Sequence, residues 1–144
     1  MSAAHNAHAS AVAFGPRGGV LILGPSGSGK STLALALISE GAQLVSDDQV
    51  LLSGVSGNLY ARAPQSIAGL IEARGLGLIQ LAYRRLTQIA LIIDLTDAPT
   101  QRLPEPQTRT LHGVTRPCLS GRADTPFAQA ISHYVARYSH SDSR

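Results

Sequence analysis

The stretch Gly24-Pro25-Ser26-Gly27-Ser28-Gly29-Lys30-Ser31 constrains this chain more than any other. It fits G-x-x-x-x-G-K-[ST], the phosphate-cradling P-loop. Gly19-Val20-Leu21-Ile22-Leu23 before it reads as a short buried strand, and Thr32-Leu33-Ala34-Leu35-Ala36-Leu37-Ile38 after it is a run of helix formers. The motif therefore sits at a strand-to-helix turn. Glycines there let the backbone approach a phosphate without a Cβ in the way. Successive amide N–H groups point at the anion, and the start of the helix adds its positive end. Lys30 places a charge on the outer phosphates, Ser31 offers a hydroxyl to Mg²⁺, and Thr32 continues the nucleotide-binding segment. Lys30 is the only lysine in the chain; every other basic residue is an arginine. ATP and Mg²⁺ are the expected ligands.

At 144 residues, 44% of them apolar, the chain is read as a single domain over 1–144. Residues 1–7 and 139–144 are expected to be frayed tails. A net charge of +3, six aromatic residues and no basic run beyond Arg84-Arg85 give no nucleic-acid surface. Cys118 is alone, which excludes a disulfide framework and a cysteine metal cluster. No segment reaches the roughly 18 consecutive apolar residues of a membrane helix, and nothing near the N-terminus reads as a signal peptide. The expectation is a cytoplasmic protein without membrane or nucleic-acid partners.

Taken in order, His8–Phe14 reads as a strand, Gly15-Pro16-Arg17-Gly18 as a turn, and Gly19–Leu23 as its hairpin partner. The P-loop strand is thus reached through a hairpin. The following helix should run to about Glu40, with Gly41 past its end. Gln43–Ser46 is a strand leading to Asp47-Asp48, and Gln49–Leu52 continues extended. Ser53–Asn58 reads as a turn, with Leu59–Ala63 returning. Glu72–Gly77 is a glycine-rich bend before a strand at Leu78–Leu81. Ile89–Leu95 is the clearest buried strand, and Thr96–Gln107, with three prolines, reads as a loop. Leu111–Leu119 is expected to be extended. Thr125, followed by Pro126, is expected to cap a final helix.

Candidate chemistry follows from the acids and their places. Asp47 and Asp48 lie at a strand's C-terminal end, where an α/β sheet opens its ligand crevice. One carboxylate there can hold Mg²⁺ or its water shell; the other can take a proton from an attacking hydroxyl. Adjacent residues of an extended strand point opposite ways, so both reach the site only if the chain bends. Glu72 can complete a metal sphere, and Arg74 can neutralise a phosphoryl group in transfer. Asp94 ends a buried strand and competes with the aspartate pair for the metal role. Besides a protein kinase, two other readings fit a P-loop: a small-molecule kinase, and a nucleotide-dependent binding module without phosphotransfer. No lid segment with clustered arginines speaks for the first, and a pure switch has no use for a base.

Gly24–Ser31, Leu44-Val45-Ser46-Asp47-Asp48 and Ile71-Glu72-Ala73-Arg74-Gly75-Leu76-Gly77 occur in an order and spacing that resemble HPr kinase/phosphorylase. The resemblance spans roughly residues 8–122 and is to the catalytic domain, in the short form typical of alphaproteobacteria. It implies an α/β P-loop fold related to phosphoenolpyruvate carboxykinase, with a mixed sheet and flanking helices. The implied activity is transfer of the ATP γ-phosphoryl group to a serine of HPr, the small phosphocarrier of the phosphotransferase system, together with phosphorolysis of the phosphoserine. Long members are hexamers, so a homo-oligomer is a further expectation. By resemblance, Lys30 and Ser31 grip phosphates and Mg²⁺, Asp47 is the general base, Asp48 assists, and Glu72 ligates Mg²⁺. Arg74 lies in the family signature. His8 lies near a family histidine, with one residue of slippage, and Arg102 resembles an arginine of a family loop. Gly121-Arg122 is similar to a later turn. The chain departs from the family at Ser46, Ala73 and Thr32, the last standing where an acidic residue is usual.

Overall fold

A computed structural model describes residues 4–96 and 107–142 of the chain. Strand β9 (Thr87–Asp94) runs through the middle of the fold, because both of its faces are apolar. On one side it pairs in parallel with β3 (Gly19–Leu23), the strand before the P-loop. On the other side its partners change along its length. Thr87 and Gln88 pair antiparallel with β6 (Asn58–Arg62), while Ile92–Asp94 pair in parallel with β11 (Val114–Ser120). Beyond β3 lie β2 (Ala9–Ala13) and β4 (Gln43–Ser46), both antiparallel to their neighbours. Beyond β6 lie β5 (Val50–Val55) and β1 (His5–Ala7). The sheet is thus mixed and runs β1-β5-β6-β9-β3-β2-β4, with β11 and β10 (Gln107–Leu111) joining at the C-terminal half of β9.

Side-chain alternation sends successive residues of these strands into two separate cores. Val12, Val20, Ile22, Leu91 and Ile93 face the helices. There they meet Leu33, Ala34 and Leu37 of α1 (Lys30–Ser39) and Ala128, Ile131 and Val135 of α2 (Thr125–Asp142). Ala11, Leu21 and Ile92 face the other way and meet Val45, Leu52, Leu59, Ala61 and Val114. Among the described residues this second core is lined by strands alone, so the sheet curls over and covers its own far face. Strands buried on both faces read as continuous apolar runs, which is why β3 and β9 stand out in the sequence. The expected flanking helices are both present, on the same face.

The hairpin into the P-loop strand, the P-loop helix and β4 all form as expected. Several local expectations are corrected. His5–Ala7 is an ordered strand against Val50–Leu52, not a frayed tail. The β5–β6 turn is only Ser56-Gly57, both at positive φ, so the ladder reaches Val55 and Asn58. Glu72 lies within strand β7 (Leu70–Ala73), which pairs with β8 (Gly77–Gln80) as a separate two-stranded sheet. Leu111–Leu119 is not one extended run, since His112-Gly113 turns β10 into β11. The cap of α2 is Asp124 rather than Thr125: its Oδ1 accepts the Phe127 amide at 2.8 Å. The helix backbone continues to Asp142, into the segment expected to fray. Most of the expected loop Thr96–Gln107 lies outside the described residues.

At the C-terminal end of β9, Asp94 Oδ1 accepts the Thr96 amide and Oδ2 accepts Arg109 Nη2, both at 2.8 Å. Burial pushes this carboxyl up, but the two hydrogen bonds from Thr96 and Arg109 together with the guanidinium charge outweigh it and hold it below its ordinary value. A carboxylate lowered on folding stabilises the protein above its unfolded value and loses that contribution as pH falls through the folded one. Asp94→Asn should therefore be less stable than the parent at pH 7, with the difference shrinking as pH falls below about 3.8; urea denaturation at the two pH values measures it. Ile93, fully buried against the helices, reports on the first core. Ile93→Ala should lower the unfolding free energy by about 2–5 kcal/mol in the same assay.

Candidate active site

The segment Gly24–Gly29 links the C-terminal end of β3 to the first turn of α1. Its path depends on glycine at Gly29, where φ is 102° and an added Cβ would stand 2.5 Å from Ala123 Cβ. The Gly29 carbonyl starts the helix by accepting the Leu33 amide at 2.9 Å. Among the described residues, Ser28 Oγ, within the loop, is the one buried side-chain oxygen without a hydrogen-bond partner. Lys30 folds back along the loop, and its Nζ donates to the Gly24 and Pro25 carbonyls at 2.7 and 3.0 Å.

A cleft of about 260 Å³ opens over this loop. Its floor is Ser26, Gly27, Gly29, Lys30, Ser31 and Thr32; its walls are His8, Asp48, Glu72 and Arg74. Four sequence-distant segments meet there: the start of β2, the P-loop with α1, the end of β4, and β7. Every lining residue is one that the sequence singles out. Gly24, Pro25 and Ser28 shape the loop without lining the cleft, and Arg102 lies outside the described residues.

Asp47 and Asp48 part company. Asp48 has a φ of 70°, and the Gln49 amide reaches over it to the Asp47 carbonyl at 2.8 Å. This is the bend that lets both acids approach the loop. A left-handed aspartate is uncommon and marks a position held by its surroundings. Asp47 turns inward, only 6% exposed. Its carboxylate accepts Ser31 Oγ on both oxygens at 2.8 Å, Ser10 Oγ on Oδ1 at 2.6 Å, and the Glu72 amide on Oδ2 at 3.1 Å. Asp48 turns outward: its side chain is 67% exposed, and its Oδ1 meets His8 Nε2 at 2.8 Å. Asp47, the acid expected as general base, and Asp48 are thus placed differently. Asp47 is absent from the cleft lining and engaged at both oxygens, while Asp48 stands in the cleft.

Asp94, the other candidate for a metal role, is held by Arg109 and Thr96 and is not among the residues that line the cleft. Among the described residues no three His, Cys, Asp or Glu side chains form a metal cage. The oxygen donors near the loop are the Ser31 hydroxyl, Asp48 and Glu72, with Asp47 behind Ser31. Sequence reading missed Ser10, a buried hydroxyl in contact with Asp47. Its signal is a lone polar residue in the apolar strand that follows His8.

Comparison with known proteins fits this arrangement. The family described as HPr Serine kinase C-terminal domain matches residues 1–112. HPr kinase/phosphorylase of Bordetella pertussis is 45% identical over 98 residues, covering 60% of this chain and 32% of that protein. The protein of the same name from Clostridium beijerinckii is 48% identical over 63 residues, covering 44% of this chain and 21% of that one. The chain thus spans about a third or less of the length of these curated relatives. The structure of the Hpr(Ser) kinase/phosphatase from Coxiella burnetii superposes with a TM-score of 0.79 at 25% identity, covering 97% of this chain and 99% of that one. No helix among the described residues is long and apolar enough to cross a membrane. With a match over residues 1–112 and an agreeing fold, the chain belongs to the HPr serine kinase C-terminal domain family.

Proposed function

We propose that this domain is an HPr(Ser) kinase/phosphorylase that works in the cytoplasm. It transfers the γ-phosphoryl group of ATP to a serine of HPr and carries the reverse phosphorolysis on the same groups. The observation that carries the reading is Asp48, an exposed carboxylate aimed into a cleft floored by the P-loop and backed by His8. The fold is that of a P-loop domain, and its likeness to phosphoenolpyruvate carboxykinase belongs to the same proposal.

In the forward direction the serine oxygen attacks the γ-phosphorus, its proton passes to Asp48, and ADP leaves. His8 holds Asp48 from the side and fixes where its free oxygen points. The amides of the loop and the positive end of α1 face the phosphates. Lys30 moves from the Gly24 and Pro25 carbonyls to the outer phosphates, and Arg74 offsets charge on the group in transfer. In reverse, Asp48 returns the proton to the serine oxygen as inorganic phosphate takes the phosphoryl group.

The donor set suits Mg²⁺, which usually takes one or two protein oxygens and fills its sphere with phosphates and water. Ser31 and Glu72 are the residues that would hold it, with Asp47 orienting the Ser31 hydroxyl. The ion would neutralise phosphate charge when bound. The cleft rim favours a protein acceptor over a metabolite. Leu78 pairs with Glu72 across the β7–β8 hairpin, so the two share one face. Leu78 is 69% exposed and Leu76 at the tip is 81% exposed, an apolar edge beside the chemistry.

The direct test is the intact mass of HPr after incubation with the domain, ATP and Mg²⁺. A gain of one phosphoryl group is expected, reversed by added inorganic phosphate. Lys30→Ala should slow transfer about 10²-fold or more, and near-parental turnover would remove Lys30 from the mechanism. Asp48→Asn should abolish transfer while leaving nucleotide affinity intact, as titration with a fluorescent ATP analogue would show. Transfer that survives in Asp48→Asn would overturn its role as base.

A further inference from the structure

Strand β2 reads Ala9-Ser10-Ala11-Val12-Ala13, and all five residues are buried. Ser10 is the one polar side chain among them and is fully inaccessible. A hydroxyl in such a place costs stability unless it is hydrogen-bonded, and an alanine would suit the strand as well as its neighbours do. Its bonds point to what it does. Ser10 Oγ donates to Asp47 Oδ1 at 2.6 Å and accepts the Asp48 amide at 3.3 Å. One oxygen therefore touches both members of the aspartate pair. His8, in the bend just before β2, holds the Asp48 carboxylate.

We infer that Ser10 is a positioning residue for phosphoryl transfer, an inference that rests on the function proposed above. Its hydroxyl sets the two aspartates into their separate tasks. Towards Asp47 it acts as a donor that fixes the carboxylate plane, leaving oxygens directed at Ser31 and at the Glu72 amide. Towards Asp48 it acts as an acceptor at the residue whose φ is 70°. That bond helps hold a left-handed aspartate that would relax towards extended backbone without it. A relaxed Asp48 would leave the cleft wall, and a rotated Asp47 would release the Ser31 hydroxyl. Ser10 touches neither cleft nor substrate and acts through the two acids alone.

The test combines amide hydrogen exchange, followed by NMR, with steady-state kinetics on the parent, Ser10→Ala and Ser10→Thr. In Ser10→Ala the amides of Asp48 and Glu72 should exchange faster, while those of Val12 and Ile22 in the adjoining ladder stay as protected as in the parent. The turnover number for HPr phosphorylation should fall about 10- to 100-fold, the range for partners that orient a working ligand. KM for ATP should stay within about threefold, because Ser10 itself makes no hydrogen bond to the loop that binds it. Ser10→Thr, which keeps the hydroxyl, should restore exchange and turnover together. Unchanged exchange at Asp48 and Glu72, a parental turnover number in Ser10→Ala, or failure of threonine to rescue would each overturn the proposal. So would faster exchange along the whole β2–β3 ladder or loss of folding, which would make Ser10 a structural residue. If the parent itself leaves HPr unmodified, the proposed function falls, and the exchange data still decide whether Ser10 holds the aspartates.

Discussion

The carboxylate of Asp47 is the interaction on which the site depends. It is almost fully buried, and a charge taken out of water is tolerated only when it is well bonded. Its bonds come from three elements that are distant in sequence: Ser10 from β2, Ser31 from α1, and the Glu72 amide from β7. Moving any one of them would leave a buried carboxylate short of a partner. The cost of that arrangement fixes the first turn of the P-loop helix against the sheet on one side and the β7–β8 hairpin on the other. The cleft walls are thereby held in place by the protein's own hydrogen bonds.

The neighbouring acid shows how one backbone angle separates two kinds of chemistry. Asp47 and Asp48 are the same residue type, adjacent, at the end of one strand. The positive φ at Asp48 sends one carboxylate into the protein and the other into the cleft. The inward group has its lone pairs spent on donors and serves as an anchor. The outward group has one oxygen on His8 and lines the cleft. Two carboxylates side by side in an ordinary strand would not divide in this way.

This division also marks the limit of what the sequence makes legible. The P-loop, its strand and its helix are plain, because motif spacing and apolar runs are local properties. The cleft-lining residues of the P-loop and its helix can be named beforehand for the same reason, Glu72 and Arg74 with the help of the resemblance, and His8 through the resemblance alone. Which aspartate faces the cleft is not legible, because it turns on the backbone at Asp48 and on a hydroxyl 38 positions away. The β10–β11 hairpin is hidden because Leu111–Leu119 reads as one extended run, while its turn rests on positive φ at His112 and Gly113; Pro117 lies in its second strand. The protein accommodates it because β11 pairs with β9 only from Cys118 onwards, so at Pro117 the strand has one neighbour, β10. The cap of α2 slips by one residue because Asp124 and Thr125 are both capping types, and the order of the two is decided by the approach of the chain. The ordered β1 is missed because its partner, β5, lies more than forty positions on.

The β7–β8 hairpin brings these threads together. It is a two-stranded sheet of its own, and such a pair is marginal without packing. Ile71 and Ala73 supply that packing on the inner face, while the Glu72 amide ties the strand to Asp47 Oδ2. That oxygen is also one of the two that accept the Ser31 hydroxyl. The first turn of α1 and the wall that carries Glu72 and Arg74 are therefore joined through a single atom. The exposed Leu76 and Leu78 sit on that same hairpin. That exposed edge and the first turn of α1 are thus linked by one strand and one buried carboxylate.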